Sequence, residues 1–371
     1  MTPLSIKLRA ALAKPFLPVV FFFAGVTYDT VTLTRIDRLL DNLILLLYLA
    51  LLGSLIVLKG RADLGKAHFA SAGTGKASHF LTRAEPYYPM TIQFLLGGLF
   101  SAYTIFYSQS ASFSMTAVFF GVLVVLLVGN EFLHDRLSNL KLLVGLYALV
   151  GFCFFTFFLP VLTGIMNWIM VVLGAVLSLA LALRVLELVY QGQTGRSRME
   201  VVKAGLPAVA VVAVLVAFYF LNWIPPVPLS LKLGGIYHQV EKVDGAYHLT
   251  FEKPAWYQVM KRSDNPLHGE GPAYCFTAVF APVDLKTTVY HRWQYRMESS
   301  GKRDFSTTDR IPIRISGGRE GGYRGYTSKQ HVPPGDWRVD VETEDGRVIG
   351  RVRFRVEAEA GRILHLQTIN Y

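Results

Sequence analysis

Glu131, His134 and Asp135, in the run Asn130-Glu131-Phe132-Leu133-His134-Asp135-Arg136, stand at i, i+3 and i+4. On a helix that spacing gathers two carboxylates and an imidazole on one face, a donor set suited to a metal ion. A di-metal helical bundle needs a second such motif and further carboxylates, and the sequence contains neither. The trio is therefore read as the polar end of a helix at a membrane interface. Asp29, followed by Arg35 and Asp37, is the other acidic candidate. An intramembrane carboxylate is a functional candidate by default. Counted from Pro15, however, Asp29 falls roughly 21 Å along a helix, close to the far interface, where pairing with Arg35 would anchor the next loop. Proton or ion coupling through Asp29 belongs to transporters, whose internal repeats and broken helices do not show in this sequence.

The second half of the chain offers different chemistry. Trp256, Tyr257, Trp293, Tyr295, Tyr323, Tyr326 and Trp337 are aromatics of the kind that form sugar-binding platforms. Alternation directs Trp293 and Trp337 inward, so both are expected in a core, with His291 beside Trp293 as a hydrogen-bonded core histidine. Tyr323, Arg324, Tyr326 and Lys329 follow a glycine-rich stretch and are read as a loop, which makes them the candidate partner-binding residues. Ser328 has no Gly-x-Ser-x-Gly elbow around it, and residues 317–325 lack the lysine pattern and strand–loop–helix setting of a phosphate loop. Cys153 and Cys275 stand far apart, one in an apolar run and one in the polar half, with no CxxC or Cys/His metal spacing. No catalytic, cofactor-binding or metal-ligating residue is assigned from sequence.

The elements that must position these groups are of two kinds. Hydrophobic residues make up 52% of the 371, and charged ones only 17%, well under the quarter usual in soluble domains. Up to Ile224 there are 16 Lys plus Arg against 9 Asp plus Glu; beyond it the counts are 21 and 17. The first part thus sets few charges between long apolar runs, while the second has an ordinary water-soluble composition. The net charge of +11 is no nucleic-acid signal, because the excess in the first part sits in short loops between those runs.

Seven runs approach the roughly 20 apolar residues needed to span a bilayer: 15–34, 42–58, 90–107, 113–129, 142–162, 166–186 and 204–224. No small-residue cleavage site follows the first, which is read as a retained helix. With the N-terminus inside, fourteen Lys and Arg fall in inside segments and only Arg35 and Arg38 outside, as expected where cytoplasmic loops hold the positive residues. The expected arrangement is a transmembrane helical domain over 1–224 and a periplasmic domain over 225–371, in a bacterial cytoplasmic membrane.

After Ile224-Pro225-Pro226-Val227-Pro228 the pattern turns to period two. Asp345-Gly346, between alternating runs, is a strong hairpin signal. A two-residue turn there pairs Trp337 with Phe354 and Val339 with Val352 on one face, and Asp340 with Arg351 and Asp336 with Arg355 on the other. A second hairpin at Asp244-Gly245 pairs Val240 with Leu249. Ile311, Ile313 and Ile315 share a face, with Pro312 marking an edge strand. Several short strands with Gly/Pro turns predict an all-β sandwich.

Tyr274-Cys275-Phe276-Thr277-Ala278-Val279-Phe280-Ala281-Pro282, His291-Arg292-Trp293, Arg324-Gly325-Tyr326-Thr327-Ser328-Lys329 and Pro334-Gly335-Asp336-Trp337-Arg338-Val339-Asp340-Val341 together resemble a bacterial family, domain of unknown function 2914, found on envelope proteins. The likeness runs from about Cys275 to Val356, and the Gly-x-Trp-Arg-Val segment is its most specific part. Gly317 to Gly322 departs from the pattern as a glycine-rich insertion. The resemblance implies no activity and no catalytic residue. The expected function is an envelope protein held in the lipid bilayer, its β-domain binding a periplasmic protein or glycan. The alternative is a membrane enzyme or transporter acting on an envelope lipid or glycan.

Overall fold

The computed structural model describes residues 29, 38–64, 84–109, 117–132, 139–191, 198–225, 227–254, 261–269, 271–282, 285–296, 304–319, 321–357 and 365–371. Among them are six α-helices, named here α1 (Leu39–Asp63), α2 (Tyr88–Gln109), α3 (Ala117–Phe132), α4 (Leu140–Thr163), α5 (Trp168–Tyr190) and α6 (Arg198–Phe220), and eleven strands. All the helices but α3 are long and apolar enough to cross a membrane. The expected run 15–34 lies outside the described residues apart from Asp29. The expected 42–58 proves longer, because the helical backbone runs past the apolar stretch at both ends, from Leu39 to Asp63, where Lys59 and Asp63 form an i,i+4 ion pair.

Local chemistry sets the helix ends. Asn139 accepts a hydrogen bond from the Lys141 amide at 3.0 Å and so caps the start of α4. That helix carries Pro160 and stops at Gly164, whose amide makes the last helical bond to the Pro160 carbonyl at 2.9 Å and whose left-handed φ of 66° turns the chain away. Asn167 then caps α5 through the Met170 amide at 3.1 Å.

The chain forms two compact units. One comprises Met1–Phe106, Leu123–Val150 and Leu181–Val209. Within it, glycines set close helix approaches: a Cβ on Gly53 would stand 2.6 Å from the Tyr147 hydroxyl, and one on Gly60 would stand 2.8 Å from Val189. Gln93 and Asn130 each donate from the side-chain amide nitrogen to the other's backbone carbonyl, at 3.0 and 2.9 Å, which links two apolar helices.

The other unit comprises Tyr107–Val122, Gly151–Ala180 and Ala210–Tyr371. Its strands are β1 (Ser230–Tyr237), β2 (Gln239–Val243), β3 (Ala246–Glu252), β4 (Leu267–His268), β5 (Ala273–Phe280), β6 (Lys286–Arg296), β7 (Ser306–Ser316), β8 (Tyr323–Lys329), β9 (Gly335–Thr343), β10 (Val348–Glu357) and β11 (Leu366–Asn370). They form three sheets ordered β1-β5-β8, β4-β10-β9-β6-β7 and β11-β3-β2. Inward residues of the first two share a core: Ile236 and Cys275 pack with Trp293, Trp337, Val339 and Phe354. A second core, of Tyr237, Leu249, Phe251 and Phe276, joins the first and third sheets.

The alternation argument assigned register correctly along most of the β9–β10 hairpin. Trp337 faces Phe354, Val339 faces Val352, Asp340 faces Arg351 and Asp336 faces Arg355; Val240 faces Leu249 in the other hairpin. The expected two-residue turn is corrected. Thr343 and Arg347 close a three-residue loop whose last residue, Gly346, takes a φ of 81°. This shifts Val348 opposite Glu342, and a bulge at Ile349 restores the register by Gly350. Pro312 lies on β7, at the sheet edge, where a missing N–H costs no ladder bond.

Candidate functional site

The outward face of the five-stranded sheet is built from arginine. Since Trp293, Trp337 and Phe354 point inward, the alternate residues of the same strands must point outward. These are Arg292 and Arg296 on β6, Arg310 and Arg314 on β7, Arg338 on β9, and Arg351, Arg353 and Arg355 on β10. Against these eight guanidiniums the same face carries Asp336, Asp340, Glu342 and, at its end, Glu357. Repeats along a strand are about 6.8 Å apart and neighbouring strands about 4.8 Å, so the result is a dense array.

The carboxylates hold this array in place. Asp340 is fully buried and receives Arg351 at 2.8 Å and Arg292 at 3.3 Å. Glu342 accepts a hydrogen bond from Arg310 at 2.7 Å and forms an ion pair with Arg292 at 3.1 Å. Arg296 meets Asp336 at 2.6 Å. Aromatics support the guanidinium planes: Arg338 and Arg296 lie 4.3 and 4.9 Å from the Phe305 ring, and Arg310 lies 3.8 Å from that of Tyr290. Burial and the positive charges of Arg351, Arg292 and Arg353 push the Arg338 guanidinium below its usual range, with Asp340 pulling the other way. The Asp340 hydrogen bond and charge move Arg351 up, against its burial. Arg353, Arg310 and Arg314 are exposed, so the array keeps cationic groups at the surface.

The expected site residues fall elsewhere. Tyr323, Arg324, Tyr326 and Lys329 lie on a strand, β8, and not in a loop. Its ladder with β5 is regular from Lys329 to Tyr323, so side chains alternate and the four are divided. Arg324 stacks on Tyr371 and Tyr326 packs beside Tyr247 and Tyr274, toward the third sheet. Tyr323, paired across the strands with Val279, packs against the core, and Lys329 pairs with Asp309 while lying over Trp337. The four thus divide between the two faces of β8, where the sequence pattern predicts them together in a loop.

Asp29 is half-buried in helical backbone, its carboxylate beside Ser101 of α2. Arg35, His134 and Asp135 lie outside the described residues, and Glu131 is in the last turn of α3. His291 is fully buried between the Thr277 and Thr327 hydroxyls, each 2.9 Å away. A neutral ring, donating from one nitrogen and accepting at the other, satisfies both.

Sequence spacing does not group His238, Glu252 and Asp264, but the fold does. His238 links β1 to β2, Glu252 ends β3, and Asp264 precedes β4. The Asp264 amide donates to the Ile236 carbonyl at 2.8 Å, and the Glu252 amide donates to Asp264 Oδ1 at 3.0 Å. Burial pushes the Glu252 carboxyl up, but the hydrogen bond and charge of His268, with Lys261, outweigh it and hold the group below its usual range. Burial likewise raises the Asp264 carboxyl, and there it prevails over the Glu252 amide, His238 and Lys261.

Residues 286–356 match the family described as "Protein of unknown function (DUF2914)". The match starts at the first residue of β6 and ends one residue short of the end of β10, so it spans the strands that carry the arginine face. No curated protein and no solved structure matches the chain.

Proposed function

We propose that this chain is a multi-pass protein of the bacterial cytoplasmic membrane whose C-terminal region is a periplasmic β-sandwich that captures an anionic glycan. The observation that carries the reading is the arginine face: eight guanidiniums against four carboxylates on one side of one sheet. Placement on the far side of the membrane rests on the loop charges, fourteen against two. The sandwich reading rests on the core common to the three- and five-stranded sheets.

Charge complementarity selects the ligand. Protein–protein interfaces centre on accessible aromatic anchors, with arginine beside them but few carboxylates. This face differs: its aromatics lie under guanidiniums. Arginine offers a planar, bidentate fork for carboxylate and phosphate groups. A strand-spaced array of such forks suits a hydrophilic chain bearing repeated acidic groups.

The test is binding of an acidic polysaccharide such as polygalacturonate to the full-length protein in detergent. Affinity should fall with rising salt, and reversing Arg314 and Arg353 to glutamate should lower it at least tenfold. Equal affinity in the reversed variant would overturn the reading. Preferential capture of an acidic protein over the polysaccharide would replace the glycan as the ligand.

A further inference from the structure

We propose that His238, Glu252 and Asp264 bind one divalent transition-metal ion of the zinc type. The three offer one imidazole and two carboxylates, with ligand atoms all within 4.8 Å of one another. His238 Nε2 lies 3.5 Å from Glu252 Oε1 and 3.7 Å from Asp264 Oδ2. These separations exceed the roughly 2.7–3.2 Å of a hydrogen bond. They come close to the edge of a tetrahedron around an ion about 2.1 Å from each ligand, which is about 3.4 Å.

A second observation points to a ligand. The Asp264 side chain is fully buried, yet among the described residues its Oδ2 has no hydrogen-bond partner, and neither has His238 Nε2. An unsatisfied buried carboxylate oxygen is costly. The backbone arranges it: Asp264 Oδ1 is taken by the Glu252 amide, which leaves Oδ2 aimed at His238.

The neighbouring ammonium lies toward the other carboxylate oxygens. Lys261 approaches the other two oxygens, at 3.6 Å from Asp264 Oδ1 and 3.7 Å from Glu252 Oε2. Each carboxylate therefore divides its oxygens, one toward the ammonium and one toward His238. His268 Nδ1 donates to Glu252 Oε1 at 2.7 Å, and His268 Nε2 lies 3.6 Å from Glu357. This is the outer support that orients a metal-binding carboxylate. An imidazole nitrogen among the donors favours zinc-like ions over calcium or magnesium, which take oxygen ligands. Three protein ligands leave a fourth position for water.

The experiment is calorimetric titration of the full-length protein in detergent, first stripped with chelator, with Zn²⁺ alone and then with Ca²⁺. One equivalent of Zn²⁺ should bind. Asp264→Asn keeps the Oδ1 acceptor for the Glu252 amide, and it should lower affinity more than tenfold. His238→Gln, at a partly exposed position, should do the same whether or not Asp264→Asn folds. His268→Gln, one shell out, should cost about tenfold. Co²⁺ in place of Zn²⁺ should give the strong visible absorption of a tetrahedral site. Zn²⁺ binding unchanged in His238→Gln, no binding in the wild type, or equal affinity for Ca²⁺ would each overturn the proposal.

Discussion

Trp337 and Arg353 sit one strand apart on opposite faces of the same sheet, and their environments predict opposite consequences of truncation. Trp337 is 2% exposed, stacks with Phe354 and meets Trp293 edge-on. Removing a buried aromatic costs about 3–5 kcal/mol, whereas changing an exposed arginine costs within about 0.5 kcal/mol. Trp337→Ala should therefore lower the melting temperature of the β-region by many degrees, and Arg353→Ala should leave it nearly unchanged. Thermal scans of the two variants side by side decide this; equal losses would mean the inward and outward faces are misassigned. His291 gives a pH dependence. Burial holds its pKa down at about 4, against about 6.5 in an unfolded chain. The unfolded state therefore binds the proton first, so this stability is fully present above pH 6.5 and is lost as pH falls toward 4. That difference corresponds to about 3 kcal/mol. Denaturant unfolding across that window should show the decline in the wild type and a flatter profile in His291→Gln.

At the scale of elements, the β9–β10 hairpin shows how a turn and a bulge compensate. The left-handed Gly346 adds a residue to the loop, and the bulge at Ile349 absorbs it, so Asp340 still meets Arg351. Gly350 follows that bulge where β10 passes β1. A Cβ there would fall 2.3 Å from Leu231 Cδ2 and 2.8 Å from Leu231 Cβ. Gly350→Ala should cost roughly 1–3 kcal/mol through overpacking. Trimming Leu231 to Ala in the same chain should recover part of the loss, which a double-mutant cycle of melting temperatures would register. Additive losses would mean that the two positions do not touch.

For the whole molecule, the loop charges predict a topology that the helices by themselves do not. Five helices of 22 to 25 residues are apolar enough to span, but length is the same read from either end. A periplasm-dependent reporter fused after Tyr371 should be active, and a cytoplasm-dependent one inserted near Thr74 should be active as well. If both positions report one compartment, the count of seven spans fails.

The sequence by itself determined whatever depends on local periodicity. Long apolar runs announce helices because a buried backbone must pair its own polar groups. Alternation divides Trp337 from Arg338 because successive side chains leave a strand on opposite faces. Cys275 was legible as a thiol without a partner, and both cysteines are free and buried. Three things needed the tertiary structure. Tyr323, Arg324, Tyr326 and Lys329 looked like a loop because glycines precede them, yet β5 offered an unpaired edge and drew them into a ladder. The arginines of the outward face belong to four strands separated by turns, so their number on one surface appears only when β9 lies between β6 and β10. The imidazole and carboxylates of His238, Glu252 and Asp264 stand 14 and 12 residues apart in sequence. No helical or strand period connects such positions. They converge because backbone hydrogen bonds from Asp264 to Ile236 and from Glu252 to Asp264 pin three separate segments at one point, and such long-range pairing leaves no local pattern to read.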